Sequence, residues 1–145
     1  MTDSSTLYVR RLDPEVPIPA RAYSSDAALD LCCRLAVKLE PRQRARIPTG
    51  VAVALPNGCA GLVLPRSGLA SRLGLSVVNS PGLIDEDYRG EIEIALVNFG
   101  EEAVHLAPLT RVAQLLIVPI VKPTVIEVDK LNPTIRGVNG FGSTG

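Results

Sequence analysis

Two internal segments carry side chains that suit binding of an anion and a planar ligand. Pro65-Arg-Ser-Gly-Leu-Ala70 places a guanidinium, a hydroxyl and a glycine side by side. If a helix begins here, its first N–H groups and the Arg66 guanidinium converge on one point, which favours an anion. A capped helix with a solvated arginine explains the same residues, so this segment alone leaves both interpretations open.

The second segment, Asn79-Ser-Pro-Gly-Leu-Ile-Asp-Glu-Asp-Tyr-Arg-Gly90, combines an amide, three consecutive acids and a tyrosine. The Asn79 amide can donate and accept at a nucleobase edge. The Tyr88 ring can lie against a planar ligand or a sugar. Acidic clusters are also common in solvated turns, but one carboxylate here can serve as a general base. Spacing does not distinguish Asp85 from Asp87 for that role.

Two further features lie nearer the C-terminus. Gln114 stands inside the apolar run Arg111-Val-Ala-Gln-Leu-Leu116, where a buried amide needs a partner, either a backbone group or a ligand oxygen. The last ten residues, Arg136-Gly-Val-Asn-Gly-Phe-Gly-Ser-Thr-Gly145, set an aromatic ring between glycines, with a cation before it and two hydroxyls after it. Their glycines allow backbone N–H groups to turn toward a phosphate.

Short strands must position these segments, because apolar residues recur mostly with period two. The clearest predicted strand is Glu91–Asn98. The others are Leu7–Leu12, Ala45–Ile47, Val51–Leu55, Gly61–Leu64, Leu75–Asn79, Ala103–Leu106, Val112–Val121 and Thr124–Val128. A single short helix is predicted over Ser67–Gly74, with Ser67 as its N-cap and Gly74 as its C-cap. The pattern indicates an all-β sandwich or barrel.

Composition narrows the class of protein. A chain of 145 residues with 12 prolines and no net charge predicts one domain without a broad nucleic-acid-binding face. The three cysteines, Cys32, Cys33 and Cys59, suit neither a disulfide framework nor a zinc site and are expected to be small buried hydrophobes. No P-loop pattern occurs. With no long apolar run and no signal-like segment at Met1–Ser5, we expect a soluble, cytoplasmic protein without a membrane partner.

Five segments, taken in order, resemble the five motifs of the trimeric dUTPases. They are Asp26–Leu31, Pro65–Gly74, Asn79–Gly90, Arg111–Leu116 and Arg136–Gly145. The second, third and fifth segments are specific to the family. The first and fourth are weak alone, but they occur in the same order as the family's motifs. The resemblance implies a jelly-roll-like, dUTPase-like β fold over residues 1–131 and a flexible arm over residues 132–145. It also implies a homotrimer with three active sites at subunit interfaces.

The same resemblance implies hydrolysis of dUTP to dUMP and pyrophosphate. Asp85 would orient and deprotonate the water that attacks the α-phosphorus in line. Asn79 would read uracil together with backbone groups of the following hairpin, and Tyr88 would stack beneath the deoxyribose and exclude a 2′-hydroxyl. The full set of implied substrate-binding residues is Arg66, Ser67, Gly68, Asn79, Ile84, Tyr88, Gln114, Arg136, Phe141, Gly142, Ser143 and Thr144.

The resemblance also implies a closing arm and a metal ion. Phe141 of a neighbouring subunit would stack on uracil, which contributes about 1–3 kcal/mol per base. Arg136, Ser143 and Thr144 would bind the γ-phosphate, so that the arm covers the nucleotide. Mg²⁺ would be held by phosphate oxygens and water rather than directly by the protein, with Asp30 near enough to contact it through water.

Four positions depart from the dUTPase pattern. Ala28 stands where the first motif has glycine, which is costly if the position needs φ > 0. Leu109-Thr110 replaces Gly-Asp before Arg111 and so removes a carboxylate that would steady Arg136. Asn139 replaces a glycine of the arm, a mild change because asparagine tolerates the left-handed region.

Two alternative functions remain open at this stage. A dCTP deaminase shares the fold, but it carries a glutamate on the strand after the hairpin, at a position that is Ala95 here, with Glu93 nearby. A non-catalytic nucleotide-binding regulator is the other alternative. The presence of Asp85 and of the complete arm argues against a decayed site.

Overall fold

The computed structural model describes residues 6–145, and Met1–Ser5, where a signal peptide was not expected, lie outside that range. Within the described range, ten strands and one helix follow one another. They are β1 (Tyr8–Arg11), β2 (Leu29–Cys32), β3 (Val37–Leu39), β4 (Arg44–Ala54), β5 (Cys59–Pro65), α1 (Ser67–Leu73), β6 (Leu75–Val77), β7 (Gly82–Ile84), β8 (Glu91–Asn98), β9 (Val104–Leu106) and β10 (Arg111–Pro119).

The strands form two four-stranded antiparallel sheets and a small two-stranded sheet. The first large sheet has the order β1-β4-β8-β6, the second has the order β2-β10-β5-β7, and β3 pairs with β9. Alternate residues of the strands point inward and form one apolar core, which includes Leu31, Val63, Ile94, Leu96 and Leu115. The expectation of an all-β architecture with one short helix is confirmed.

Strand β4 corrects one sequence-based prediction. Ala45–Ile47 and Val51–Leu55 were expected as two strands separated by a turn, but they form a single strand whose register against β8 shifts between Pro48 and Ala52. The buried Thr49 hydroxyl donates to the Ile92 carbonyl at 2.6 Å, which keeps the irregular stretch attached to β8. The pattern at Pro48–Gly50 therefore marks a bulge and not a loop.

The prediction of a strand at Thr124–Val128 is also wrong for the single chain. Its residues form no strand, and Val125 and Ile126 are exposed. Strand geometry requires a partner edge, and no strand within residues 6–145 pairs with this segment. Conversely, β2, β3 and β7 were not predicted, although β1, β6 and β9, which are equally short, were.

Helix α1 matches the predicted segment, although its N-terminus differs. Arg66 occupies the N-cap position without a side-chain cap, and Ser67 is the first helical residue. Gly74 ends the helix at φ 67° as expected, and a Cβ there would come within 2.6 Å of the Gly100 nitrogen. Only glycine satisfies both the dihedral angle and the close approach. Within residues 6–145, no helix has the length and apolarity that a membrane span requires.

Candidate active site

A cavity of about 280 Å³ opens beside the β7–β8 hairpin. It brings together Asn79, Ile84, Asp85 and Tyr88, which are the predicted site residues of the third motif. The remaining lining residues are Arg46, Val63, Val77, Gly82, Leu83, Glu91, Ile92, Glu93, Ile94 and Ala95. Apolar strand residues therefore form much of the wall, with an amide, a phenol and carboxylates placed around it, as is usual for a small-molecule site.

The Tyr88 ring is held against its own hairpin. Its hydroxyl donates to the Glu91 carbonyl at 2.9 Å. A Cβ at Gly90 would lie only 2.4 Å from the Tyr88 hydroxyl oxygen and 2.6 Å from Cζ. The ring thus occupies space that any other residue at position 90 would fill, and it offers a fixed platform beside the cavity.

The Asn79 amide depends on a second glycine. A Cβ added at Gly82 would lie 3.3 Å from Asn79 Nδ2 and 3.3 Å from Val63 Cβ. That separation is tighter than an ordinary van der Waals contact between such atoms. Glycine at this position lets the amide and the wall of the cavity approach each other closely.

Of the described residues, three carboxylates line the cavity, and two of them have partners. Glu93 forms an ion pair with Arg46 at 3.0 Å, and Glu91 accepts the Gly50 N–H at 2.7 Å. Within the described part of the chain, the Asp85 carboxylate makes no hydrogen bond or ion pair of its own. Asp87, which spacing could not distinguish from Asp85, does not line this cavity.

A second cluster forms where β2, β10 and α1 meet. The Asp30 carboxylate accepts Arg66 Nε at 3.2 Å and Arg111 Nη1 at 3.3 Å, and Arg66 Nη1 donates to the Arg111 carbonyl at 3.1 Å. The Asp30 side chain is only 16% exposed. Because its carboxylate and a carbonyl hold the Arg66 guanidinium, that group is oriented before any ligand arrives.

Gln114 belongs to the same cluster. It pairs with Asp30 across β2 and with Leu64 across β5, so the three side chains share one face of the sheet. Its Nε2 donates to the Pro65 carbonyl at 2.9 Å. The backbone therefore satisfies at least one donor of the amide, which was the commoner of the two expected cases. Ser67 and Gly68 follow at the start of α1.

Asp85 and the Arg66 cluster lie at opposite ends of β5. Ile84, just before Asp85, pairs with Gly61 near the start of the strand, whereas Arg66 directly follows Pro65 at its end. At about 3.3 Å per residue, a seven-residue strand spans roughly 20 Å. One chain therefore does not bring Asp85 and Arg66 together.

The arm is separate from both. Residues 134–145 make their hydrogen bonds between residues three apart within the arm. The Phe141 side chain is fully exposed, with φ 47° between two glycines. Arg136 Nε donates to the Asn139 carbonyl at 2.9 Å. The described chain thus leaves Arg136, Phe141, Gly142, Ser143 and Thr144 away from the cavity they were expected to cover.

The departures from the family pattern have different structural consequences. Among residues 6–145, positive φ at a non-glycine occurs at Arg42, Leu109 and Phe141. Ala28 and Asn139 are therefore accommodated without that strain. Leu109 does adopt a glycine-like conformation, with φ 66°. The Thr110 hydroxyl is turned back to the Ala107 carbonyl at 2.6 Å and is engaged within its own loop.

The cysteines match the sequence-based expectation. Cys32 and Cys33 are buried free thiols and Cys59 is a half-buried one. Burial raises the pKa of both the Cys32 and the Cys33 thiol. Raised values keep the thiols protonated at neutral pH, so they act as small apolar side chains.

The donor set bears on the expected metal ion. Within the described residues, no three His, Cys, Asp or Glu side chains are arranged to hold a metal, and both oxygens of Asp30 are paired with arginines. Mg²⁺ commonly takes most of its ligands from phosphates and water. The residues present fit an ion that arrives with a triphosphate and do not fit one held in a protein cage.

Sequence reasoning missed several residues that shape these sites. Arg111 was quoted only as part of a motif, yet it pairs with Asp30. Glu91 and Arg46 line the cavity, and Gly90 makes room for Tyr88. The alternation of carboxylates and isoleucines in β8 was the available signal for Glu91 and Glu93. Nothing local marked Arg46, because its role depends on pairing between strands β4 and β8.

Comparison with known proteins agrees with this fold. The sequence profile of the dUTPase family matches residues 14–145. The deoxyuridine 5'-triphosphate nucleotidohydrolase of Mycobacterium sp. (strain JLS) is 49% identical, over 98% of this chain and 96% of that protein. The dUTPase of Staphylococcus bacteriophage 80alpha, solved with dUpNHpp, has a TM-score of 0.91 at 31% identity and covers 97% of this chain and 99% of its own.

A further solved relative concerns the metal. A mutant dUTPase from phage phi11 of S. aureus, described as revealing the coordination of a structural Mg(II) ion, has a TM-score of 0.79 at 30% identity. It covers 86% of this chain and 97% of its own.

Fold, cavity and relatives together define a hydrolase of nucleotide metabolism. The chain belongs to the dUTPase family, the deoxyuridine 5'-triphosphate nucleotidohydrolases. Its substrate is accordingly dUTP, as the resemblance of the five motifs implied.

Proposed function

We propose that the chain hydrolyses dUTP to dUMP and pyrophosphate by in-line attack of water on the α-phosphorus, with Asp85 as the base. The observation that carries this proposal is which of the cavity carboxylates have hydrogen-bond or ion-pair partners. Glu91 and Glu93 have partners, whereas the Asp85 carboxylate makes no hydrogen bond or ion pair within residues 6–145. A carboxylate without such partners can accept a hydrogen bond from water and take its proton.

The chemistry requires positioning more than covalent participation of the protein. Asp85 accepts a proton from water while the water oxygen bonds to the α-phosphorus. The bond between that phosphorus and the oxygen bridging to the β-phosphate breaks, and pyrophosphate leaves with those electrons. Groups that fix the α-phosphate and neutralise its charge then account for most of the acceleration.

The nucleoside would occupy the cavity. Asn79 would read the uracil edge, helped by backbone groups of the hairpin at Ile84. The Tyr88 ring would lie beneath the deoxyribose, where it leaves no space for a 2′-hydroxyl. The support for this assignment is the ring's position, because the hydroxyl bond to Glu91 and the missing side chain at Gly90 hold it beside the cavity.

The phosphate chain would bind at the second cluster. Arg66, Ser67 and Gly68 lie at the start of α1, and Gln114 lies beside Pro65. Asp30 and the Arg111 carbonyl hold Nε and Nη1 of Arg66, which leaves Nη2 for a phosphate oxygen. A guanidinium that is already oriented loses less freedom when it binds.

The distance between Asp85 at the cavity and Arg66 in the second cluster supports a site shared by subunits. The reacting phosphorus must lie within a few ångströms of both the base and the arginine, yet these flank a strand about 20 Å long. The proposal is therefore a homotrimer in which Asp85 of one subunit faces Arg66 of the next. A closed ring repeats that contact three times.

An apolar patch supports the same assembly. Leu62, Leu64, Leu83, Leu116 and Val118 lie on the outer face of the β2-β10-β5-β7 sheet, as the register shows. Leu83 is 65% exposed. The patch is continuous with Gln114 and Asp30 through the Gln114–Leu64 pair. Covering it with a second copy buries leucines next to the phosphate cluster.

Residues 1–131 would form the catalytic domain and residues 132–145 the arm. The arm of a neighbouring subunit would close over the nucleotide, with Phe141 stacked on uracil and Arg136, Gly142, Ser143 and Thr144 around the γ-phosphate. The support is that this aromatic and this cation are exposed and make only local contacts in the described chain. Closure over the substrate would exclude bulk water.

A magnesium ion fits this arrangement. It would be held by the triphosphate oxygens and water, with Asp30 reached through water, and it supplies neutralisation of phosphate charge when bound. The deaminase alternative gains no support, because Ala95 lines the cavity and Glu93 is paired with Arg46. The regulator alternative does not agree with the nucleotidohydrolase relatives.

Substitution of two acids in one turn tests the base. Asp85→Asn should lower kcat by roughly 10²–10⁴-fold, the usual contribution of a general base, while dUTP still binds. Asp87→Asn is the matched control, because Asp87 lies in the same turn outside the cavity, and its kcat should stay near that of the wild type. Retention of turnover in Asp85→Asn, measured by pyrophosphate release, would show that another group is the base.

A further inference from the structure

The turn that carries Asp85 lies between β7 and β8, outside the strand pairing. Because the Asp85 carboxylate makes no bond of its own within the described residues, its position depends on the rest of the turn. The Tyr88 N–H donates to the Asp85 carbonyl at 3.1 Å. Arg89 Nη1 donates to the Glu86 carbonyl at 2.8 Å. These local bonds shape the turn but do not fix it relative to the sheets.

Glu86 supplies the long-range contacts. Its carboxylate accepts Lys122 Nζ at 2.5 Å, and the backbone N–H of Gly58 lies close enough to lower the pKa of Glu86. The Gly58 carbonyl in turn accepts the Ile120 N–H at 2.9 Å. Three separate segments therefore meet at Glu86: the turn between β4 and β5, the turn that carries Asp85, and the chain that leaves β10 toward the arm.

The charges around this contact favour it. The Lys122 ammonium and the Gly58 N–H lower the pKa of the Glu86 carboxyl, and Glu86 raises the pKa of Lys122. Both groups are thus ionised at neutral pH. Asp85 and Asp87 lie close enough to act on Lys122 as well. Without this ammonium, three adjacent carboxylates would lose a cation that faces all of them.

We propose that Glu86 and Lys122 are positioning residues for dUTP hydrolysis, because their ion pair ties the Asp85 turn to the segment from which the arm departs. The inference rests on the proposed role of Asp85. Neither residue touches substrate in this proposal. Glu86 follows Asp85 directly in the chain, so a shift of one carries the other, and a displacement of about 1 Å at a reacting group can cost up to 10²-fold in rate.

An exposed ion pair of this kind contributes little to folding. The Lys122 side chain is 65% exposed, so its replacement should leave the fold intact. The proposed role therefore predicts a loss of kcat without a loss of stability, which a purely structural role would not give. The loss should fall on kcat, with little change in KM for dUTP or in Tm.

The test compares four single variants by steady-state pyrophosphate release and by thermal unfolding. Lys122→Met removes the charge and keeps the length, and Glu86→Gln removes the other charge while it keeps the size of the side chain. Lys122→Arg keeps the pair. Lys130→Met is the matched control, since Lys130 is an exposed lysine of the following segment that the proposal does not use.

We expect Lys122→Met and Glu86→Gln to lose about 3- to 10-fold in kcat at unchanged Tm. Lys122→Arg and Lys130→Met should keep kcat within about twofold of the wild type. Wild-type kcat in both Lys122→Met and Glu86→Gln, or an equal loss in Lys130→Met, would overturn the inference. Asp85→Asn is measured in parallel. If only this variant is inactive, the proposed base stands and the positioning role fails. If Asp85→Asn is active, both the proposed base and the positioning role lose their basis.

Discussion

Gly90 lies directly against the Tyr88 ring, so that an added Cβ would come within 2.4 Å of the tyrosine hydroxyl oxygen. Tyr88 also donates that hydroxyl to the Glu91 carbonyl at 2.9 Å. The position of the ring therefore depends both on the space that glycine leaves at position 90 and on this hydrogen bond. Its position beside the cavity is the basis of the proposed preference for deoxyribose.

Gly90→Ala should displace the Tyr88 ring from this position. Because the overlapping atoms are the outer end of a side chain, the ring can swing away, and the loss in unfolding free energy should stay near 1 kcal/mol, the value of one hydrogen bond. The measurement is kcat/KM for dUTP and for UTP. We expect the preference for dUTP to fall roughly tenfold, which corresponds to about 1.4 kcal/mol of discrimination.

Tyr88→Phe provides the comparison for that variant. It keeps the ring over Gly90 and removes only the hydroxyl, so it should retain more of the preference than Gly90→Ala. An unchanged dUTP-to-UTP ratio in Gly90→Ala would show that the ring does not select the sugar.

Leu109 offers a test of backbone strain next to the phosphate cluster. Its φ of 66° lies in the left-handed region, where a Cβ costs about 1 kcal/mol. Leu109→Ala and Leu109→Gly lose the same side-chain contacts beyond Cβ, but only the glycine variant relieves the strain. In urea unfolding, Leu109→Gly should be more stable than Leu109→Ala by about 0.5–1 kcal/mol. Equal stability, or greater stability of the alanine variant, would exclude strain at this position.

Removal of the arm should lower turnover without affecting folding. A chain that ends at Asn132 loses residues that are almost all exposed and whose hydrogen bonds are local, so its Tm should equal that of the full chain. It also loses the proposed stacking and phosphate contacts, and kcat/KM should fall by at least about 10²-fold. A truncated chain with full activity would show that the arm does not close over the nucleotide.

Local patterns predicted much of the fold. The period-two run Glu91–Asn98 matches β8 residue for residue, and Gly74 ends the helix as expected. The errors have physical reasons. The irregular stretch at Pro48–Gly50 stays in the sheet because Thr49 bonds to Ile92, a contact 43 residues away that no local pattern contains.

The candidate site was predictable in its residues but not in its arrangement. The motif positions of Asn79, Asp85 and Tyr88 gave the cavity, because consecutive segments of one hairpin necessarily lie together. The ion pairs of Asp30 with Arg66 and Arg111 depend on which strands become neighbours. The separation of Asp85 from Arg66 likewise follows from the register of β7 on β5, which the sequence does not display.

Mixed trimers test the shared site most directly. Asp85→Asn and Arg66→Ala subunits should each be inactive alone, and their co-expression with different affinity tags allows mixed assemblies to be purified. If Asp85 of one subunit works with Arg66 of the next, each purified mixed trimer contains one intact site out of three, so about one third of wild-type kcat per site should be restored. Activity no greater than that of the two separate variants would contradict a site shared between subunits and would place both residues in the same chain's site.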